Sequence, residues 1–84
     1  MAKTALIDGQ ITGIIARELR AHADQVMPAA SLRGDLHADS LDIMCLVVVI
    51  EDELGVQISD AQTSSLYDGT VGDVLRVVEK VRPR

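Results

Sequence analysis

The chain has 84 residues, a formal net charge of −5 and 48% hydrophobic residues, with Tyr67 as the only aromatic side chain. This length predicts a single domain, residues 1–84, and the core of that domain must be aliphatic. An acidic surface is repelled by nucleic acids and anionic membranes, so the charge excludes both as expected partners.

The cysteine and histidine content argues against disulfide and metal chemistry. Cys45 is the only cysteine, and we expect it to be a small buried or half-buried hydrophobe. His22 and His37 are far apart, and neither has a second His or Cys at ligand spacing, so no metal site is predicted. The apolar run 43–50 is too short to span a bilayer and the N-terminus lacks a signal pattern, which predicts a cytoplasmic protein without a membrane span.

Apolar residues at spacings of three and four predict a first helix from about Thr4 to His22. Its predicted buried stripe consists of Leu6, Ile7, Ile11, Ile14, Ile15 and Leu19. The pattern lapses from Ala23 to Asp39, which predicts a long loop. We expect Leu32 and Leu36, the isolated apolar residues of this loop, to pin it to the core.

The stretch Ser40–Leu54 contains a run of apolar residues rich in β-branched side chains, so it could be a buried strand. Its length exceeds that of a usual strand, and its flanking residues favour a helix. Asp39 or Ser40 can cap the start, and Gly55 stands where a left-handed residue would end the helix.

A capping-box spacing between Ser59 and Gln62 predicts a short helix that ends at Leu66, followed by a turn at Asp68-Gly69.

Thr70 followed by Asp73 repeats this signature and predicts a last helix that stops before Pro83. The apolar stripe of this helix consists of Val71, Val74, Leu75, Val78 and Val81. The predicted architecture is all-α: a small four-helix bundle with three longer helices, one short helix and a long first loop.

The segment Leu36–Asp42 places Ser40 at the junction of the long loop and a helix, with the carboxylates of Asp39 and Asp42 on either side. Ser and Asp are preferred residues at helix starts, so on residue preference alone Ser40 is a plain helix cap. A hydrolase with Ser40 as its nucleophile would need a positioned base, and none is apparent.

Three motifs between residues 32 and 78 resemble the acyl carrier protein family, also called the phosphopantetheine-attachment domain. Leu36-x-x-Asp39-Ser40-Leu41-Asp42 is similar to the family's attachment motif. The family's second helix and the turn that follows it are similar to the run from Leu46 through Ile50-Glu51-Asp52-Glu53-Leu54-Gly55-Val56-x-Ile58. The family's last helix is similar to Thr70-Val71-Gly72-Asp73-Val74-Leu75. Three motifs in the right order are far more specific than one.

The resemblance implies an acyl carrier protein that is not an enzyme. Ser40 would bear 4′-phosphopantetheine, transferred from coenzyme A by a phosphopantetheinyl transferase with Mg²⁺, and the thiol of that arm, not Cys45, would hold acyl groups as thioesters. A helix N-terminus suits a phosphate because it offers unpaired N–H groups and a positive dipole end. The other expected partners are acyl-transferring or condensing enzymes of fatty-acid, lipid or polyketide synthesis, and we expect a monomer.

We predict that the second helix docks against basic patches on these enzymes. Acidic residues near a helix C-terminus interact unfavourably with the helix dipole, so residues 51–53 are expected to destabilise the second helix. Residues that are locally unfavourable tend to occur at functional sites. Consecutive apolar residues cover more than one helical face, so some must point outward unless the helix is buried on all sides. A solvated charged face is the alternative for the acidic residues. The predicted docking residues are Asp39, Leu41, Asp42, Met44, Val48, Glu51 and Asp52.

Two positions depart from the family's usual pattern: His37 stands where glycine is frequent, and Cys45 stands where a glutamate often adds to the acidic face. The second helix is therefore less acidic than in typical fatty-acid carriers, which indicates a specialised carrier. The alternatives are an aminoacyl or peptidyl carrier and, in a different class, an unmodified interaction module that binds a partner helix through Leu41, Met44 and Val48.

Overall fold

The computed structural model describes the backbone of residues 2–82 and the side chains of residues 9–82. Within this range the chain forms four α-helices and no strand. The elements are α1 (Ala2–Leu19), a 3-10 turn (Ala23–Gln25), α2 (Ser40–Leu54), α3 (Asp60–Leu66) and α4 (Val71–Val81). The predicted all-α fold, with three longer helices and one short one, is confirmed. None of the helices in the described range is long and apolar enough to cross a membrane.

The end of α1 comes three residues earlier than the periodicity predicts, at Leu19 rather than His22. Arg20 has a φ of 56°, and the N–H of Ala21 donates to the carbonyl of Ala16 at 2.9 Å, which is a Schellman-type helix end. Of the predicted stripe, the side chains of Leu6 and Ile7 lie outside the described residues, Ile11, Ile14 and Ile15 are buried, and Leu19 packs against the core.

The bounds of α2 are those that the sequence predicts. Gly55 adopts the left-handed conformation with a φ of 65°, and its N–H and that of Val56 both donate to the carbonyl of Glu51. This arrangement satisfies a carbonyl that the helix end would otherwise leave unpaired. The buried face of α2 consists of Ile43, Leu46, Val47 and Ile50.

The predicted capping boxes start both α3 and α4. The N–H of Gln62 donates to Ser59 Oγ at 3.1 Å, and the N–H of Ser59 donates to Gln62 Oε1 at 2.9 Å. At α4, the N–H of Asp73 donates to Thr70 Oγ1 at 3.3 Å, and the N–H of Thr70 donates to Asp73 Oδ2 at 2.8 Å. In the α4 stripe, Val71, Val74 and Val78 are buried together with Val77, whereas Leu75 and Val81 are partly buried.

Backbone hydrogen bonds hold the long loop between α1 and α2 against the start of α4. The N–H of Leu32 donates to the carbonyl of Gly69 at 3.1 Å, and the N–H of Val71 donates to the carbonyl of Ala30 at 3.0 Å. Leu32 and Leu36 are buried, so the prediction that they pin the loop to the core is confirmed.

A single aliphatic cluster receives side chains from the loop and from all four helices. Within the described side chains, no polar or charged residue is buried in it. The half-buried Tyr67 packs against this cluster. The largest fully buried side chains are Ile11, Ile15, Leu32, Ile43, Leu46, Ile50, Leu66, Val71, Val74 and Val78.

Gly69 lies in a closely packed turn between α3 and α4. A Cβ atom at this position would lie 2.9 Å from Asp73 Oδ2 and 3.1 Å from the carbonyl oxygen of Ser65. We expect Gly69→Ala to lower the free energy of unfolding by about 1–3 kcal/mol, because the carboxylate that closes the α4 capping box must move. Urea unfolding followed by circular dichroism measures this loss.

Gly13→Ala is the matched control, because Gly13 lies inside α1 and a Cβ atom there would have no neighbour within 4 Å. We expect this variant to gain up to about 1 kcal/mol from helix propensity. A Gly69→Ala protein as stable as the unsubstituted chain would contradict the packing argument.

The capping carboxylate of Asp73 links the stability of the fold to pH. The N–H of Thr70 and then the guanidinium of Arg76 hold the pKa of the Asp73 carboxyl below its usual range. The ionised carboxylate therefore stabilises the folded chain above the unfolded-state pKa of about 4, and this contribution is lost as pH falls through the lower folded-state pKa.

We expect Asp73→Asn to lower stability near neutral pH and to reduce the loss of stability on acidification below about pH 4. The substitution keeps an oxygen acceptor for the Thr70 N–H and removes only the charge. Thermal melts of both proteins across the acid range measure the difference. Identical pH dependence of the two melting temperatures would refute the role of this carboxylate.

Candidate functional site

Ser40 is the first residue of α2, and it is exposed. The residue before it, Asp39, is the N-cap, with an extended backbone at a φ of −93°. Of the two residues that the sequence allows as the cap, the structure uses Asp39, so the interpretation of Ser40 as a plain helix cap is wrong. The reason is positional: Ser40 already lies inside the first helical turn, whereas the cap residue must have a non-helical backbone.

Asp39 and Asp42 form a reciprocal capping box around this helix start. The N–H of Asp42 donates to Asp39 Oδ1 at 2.8 Å, and the N–H of Asp39 donates to Asp42 Oδ2 at 3.1 Å. Both carboxylates lie at the positive end of the helix dipole, which favours negative charge there by about 0.3–1 kcal/mol each. The Ser40 hydroxyl takes no part in this box, so it stays available for bond formation.

The segment that leads into Ser40 is fixed by burial and by a backbone hydrogen bond. Ala38 is buried, and its N–H donates to the carbonyl of Leu32 at 2.8 Å. His37 is exposed and has a φ of 60°, a left-handed conformation that costs a non-glycine residue about 1–2 kcal/mol. The frequent glycine of the family's pattern thus corresponds to a position where this chain needs a left-handed backbone.

An exposed apolar strip runs along the side of α2 that faces away from the core. It consists of Leu41, Met44 and Val48, which are 66%, 51% and 60% exposed. The structure therefore turns these side chains outward, as the sequence predicts, and their role in docking remains a prediction. Cys45 is also exposed, so the expectation of a buried or half-buried thiol is wrong. Its position on the helix, outside the buried face, outweighs its apolar character.

The three acidic residues at the end of α2 have different surroundings. Glu51 is partly buried, and its Oε2 accepts a hydrogen bond from the N–H of Ile58 at 2.8 Å. Glu53 forms an ion pair with Arg17 of α1, and this hydrogen bond raises the pKa of the Arg17 guanidinium. Asp52 is exposed. Because two of the three have partners within the chain, the unfavourable charge at this helix end is smaller than the sequence suggests.

Sequence reasoning missed both of these partners. Arg17 and Glu53 are 36 positions apart, and no local pattern relates them. The contact of Glu51 with Ile58 follows from the Gly55 turn, which brings the chain back to the helix end. Within the described residues, no group of three or more His, Cys, Asp or Glu side chains is placed to hold a metal ion.

The comparisons with known proteins identify the family of the chain. The family described as "Phosphopantetheine attachment site" matches residues 9–78. Acyl carrier proteins of Helicobacter pylori strains G27 and ATCC 700392 / 26695 are each 41% identical over 69 residues, which is 82% of this chain and 86% of theirs. The chain belongs to the acyl carrier protein family, the family of phosphopantetheine attachment.

A solved structure of the acyl carrier protein from Enterococcus faecalis is also similar, with a TM-score of 0.74 and 30% identity over 92% of this chain and 95% of that one. The resemblance to this family that the sequence motifs indicate is therefore confirmed. Its members are carriers rather than catalysts, they bear a covalent phosphopantetheine group, and they act together with partner enzymes. Ser40 fits such a group, since it is exposed and lies at a helix N-terminus that favours phosphate.

The capping assignment predicts different effects of Ser40 and Asp39 on stability. We expect Ser40→Ala to change the free energy of unfolding by less than about 0.5 kcal/mol. Asp39→Ala should lose about 1 kcal/mol, because it removes the acceptor for the N–H of Asp42. Urea unfolding of the unmodified proteins measures both values. A larger loss for Ser40→Ala than for Asp39→Ala would contradict the assignment of the cap.

Proposed function

We propose that this chain carries acyl groups as thioesters on a 4′-phosphopantetheine arm attached to Ser40. The observation that carries the proposal is the exposed Ser40 at the start of α2, where Asp39 and Asp42 fix the helix without using its hydroxyl. The relatives in Helicobacter pylori are named acyl carrier proteins, which favours acyl cargo over aminoacyl or peptidyl cargo.

In this proposal the chain holds its attachment point still and supplies no catalytic group. Ile43 and Leu46 anchor the first turns of α2 in the core, so the backbone of Ser40 has a fixed position relative to the bundle. The N–H groups of the first turn and the dipole of α2 favour a phosphate at that oxygen. The arm itself supplies the thiol that holds the acyl group.

We propose two kinds of partner enzyme. A phosphopantetheinyl transferase loads Ser40 from coenzyme A, and acyl-transferring or condensing enzymes of fatty-acid, lipid or polyketide synthesis then use the loaded chain. Exposed apolar side chains and carboxylates on one helix support docking through α2 against a surface that carries positive charge. The proposed docking residues are Asp39, Leu41, Asp42, Met44, Val48, Glu51 and Asp52.

We also propose that residues 1–84 act as one carrier domain, because side chains from all four helices share one core. The net charge of −5 disfavours association between copies and supports a monomer. We place this monomer in the cytoplasm, where coenzyme A is available for loading.

Intact mass spectrometry before and after incubation with coenzyme A, Mg²⁺ and a broad-specificity phosphopantetheinyl transferase tests the proposal. We expect a gain of one phosphopantetheine, located by peptide mapping at Ser40, and no gain in Ser40→Ala. Ser64→Ala is the matched control, because it removes a serine from an exposed position of α3, and we expect it to be loaded normally.

A chain that gains no mass with several transferases would refute the carrier proposal. That result would favour an unmodified helical interaction module.

A further inference from the structure

We infer, building on the proposed function, that His37 is a positioning residue for the phosphate attached to Ser40. In its protonated form the imidazole attracts the phosphodiester that joins the arm to the chain, and so orients the first atoms of the arm relative to α2. Three features of the chain lead to this inference: the left-handed backbone of His37, the outward direction of its side chain, and the negative charge around Ser40.

The backbone of His37 is strained. Its φ of 60° lies in the left-handed region, which glycine adopts freely and other residues do not. The other left-handed residues of the described range, Arg20 and Gly55, each end a helix, whereas His37 lies in the loop before α2. Strained residues cluster at sites of function, where the surrounding structure holds them in place. A histidine at a position suited to glycine therefore indicates that its side chain has a use there.

The burial of its neighbours directs the side chain of His37 away from the core. Leu36 and Ala38 are only 6% and 4% exposed, whereas His37 between them is exposed. Asp39 and Ser40 are exposed as well. Three peptide units join His37 to Ser40, so their Cα atoms lie at most about 11 Å apart. This limit is close to the Debye length of about 8–10 Å, so a charge attached to Ser40 acts on the imidazole.

Negative charge dominates the part of the chain that surrounds Ser40. Apart from His37, every charged or titratable side chain from 34 to 66 other than Cys45 is acidic. A phosphodiester on Ser40 adds one more negative charge beside Asp39 and Asp42, and the dipole of α2 offsets only part of it. His37 is the side chain of this segment that can become a cation near neutral pH. Its protonated form therefore favours the phosphate at Ser40.

The other charged side chains around this loop already have partners within the chain. Arg33 forms an ion pair with Asp68 at 3.5 Å, and Asp35 Oδ2 accepts the N–H of Ser31 at 2.7 Å. The carboxylates of the capping box at the start of α2 each accept a backbone N–H. The phosphodiester is thus the anion that gains most from the imidazole of His37, because it arrives without a partner of its own.

Phosphorus NMR of the loaded chain, titrated from about pH 5 to pH 8, tests this inference. A phosphodiester stays ionised throughout this range, so movement of its signal reports a neighbouring group that changes charge. We expect the signal to move with a midpoint between about pH 6 and pH 7.5, where histidines titrate. The movement should disappear in His37→Asn, because asparagine tolerates the left-handed backbone and carries no charge.

His22→Asn is the matched control, because His22 is also exposed but lies before the 3-10 turn, outside the loop segment that leads into Ser40. We expect its phosphorus signal to move as in the unsubstituted chain. His37→Gly removes the imidazole with the residue best suited to a left-handed backbone, and should lose the movement as His37→Asn does. Circular dichroism of every variant checks that the helices are intact.

Salt provides a second measurement on the same signal. In about 1 M NaCl the Debye length falls to about 3 Å, so an attraction between two exposed charges is screened. We expect the movement of the phosphorus signal to fall by at least about half. Movement of undiminished size would mean that the signal reports a change of conformation, and this result would overturn the inference.

Two further results would overturn it: a phosphorus signal that does not move between about pH 5 and pH 8, or one that still moves in both His37→Asn and His37→Gly. Intact mass and peptide mapping precede the NMR measurement. A chain that no transferase loads, or that is loaded at a residue other than Ser40, would instead refute the proposed function, so the two failures are distinguishable.

Discussion

The reciprocal hydrogen bonds between Asp39 and Asp42 fix the residue at which α2 begins, and the geometry of the candidate site depends on them. Had Ser40 been the cap, its hydroxyl would have accepted a backbone N–H and would have been tied to the helix end. A carboxylate one residue earlier satisfies the same N–H group. The serine is therefore held in place by its backbone while its hydroxyl remains accessible, which is what an attachment point requires.

The sequence predicts those features of the fold that depend only on residues within one helical turn of each other. The capping pairs at Ser59 and Thr70 and the left-handed Gly55 gave correct boundaries, because each depends on a local backbone preference. The end of α1 was missed because Arg20 adopts a left-handed conformation without being glycine or asparagine. Cys45 was misplaced because an apolar residue in an apolar run still follows helical geometry, and its position faces outward.

The candidate site also contains features that the sequence predicts and features that it does not. Ser40 and the exposed strip that begins at Leu41 follow from a motif and from helical periodicity, both of which can be read along the chain. Whether an acidic residue has a partner within the chain cannot be read in this way, because the partner is brought to it only in the folded protein. The ion pair of Glu53 with Arg17 joins two helices, so the sequence overstates how much free negative charge α2 presents.

The backbone bonds between the long loop and the start of α4 have a consequence for the order in which the chain matures. Pro28 and Ala30 accept hydrogen bonds from Gly72 and Val71, and Leu32 donates to Gly69. During synthesis, a ribosome has therefore already made Ser40 before the groups that hold the preceding loop exist. The loop that precedes the serine can make these backbone bonds only once residues 69–72 have emerged.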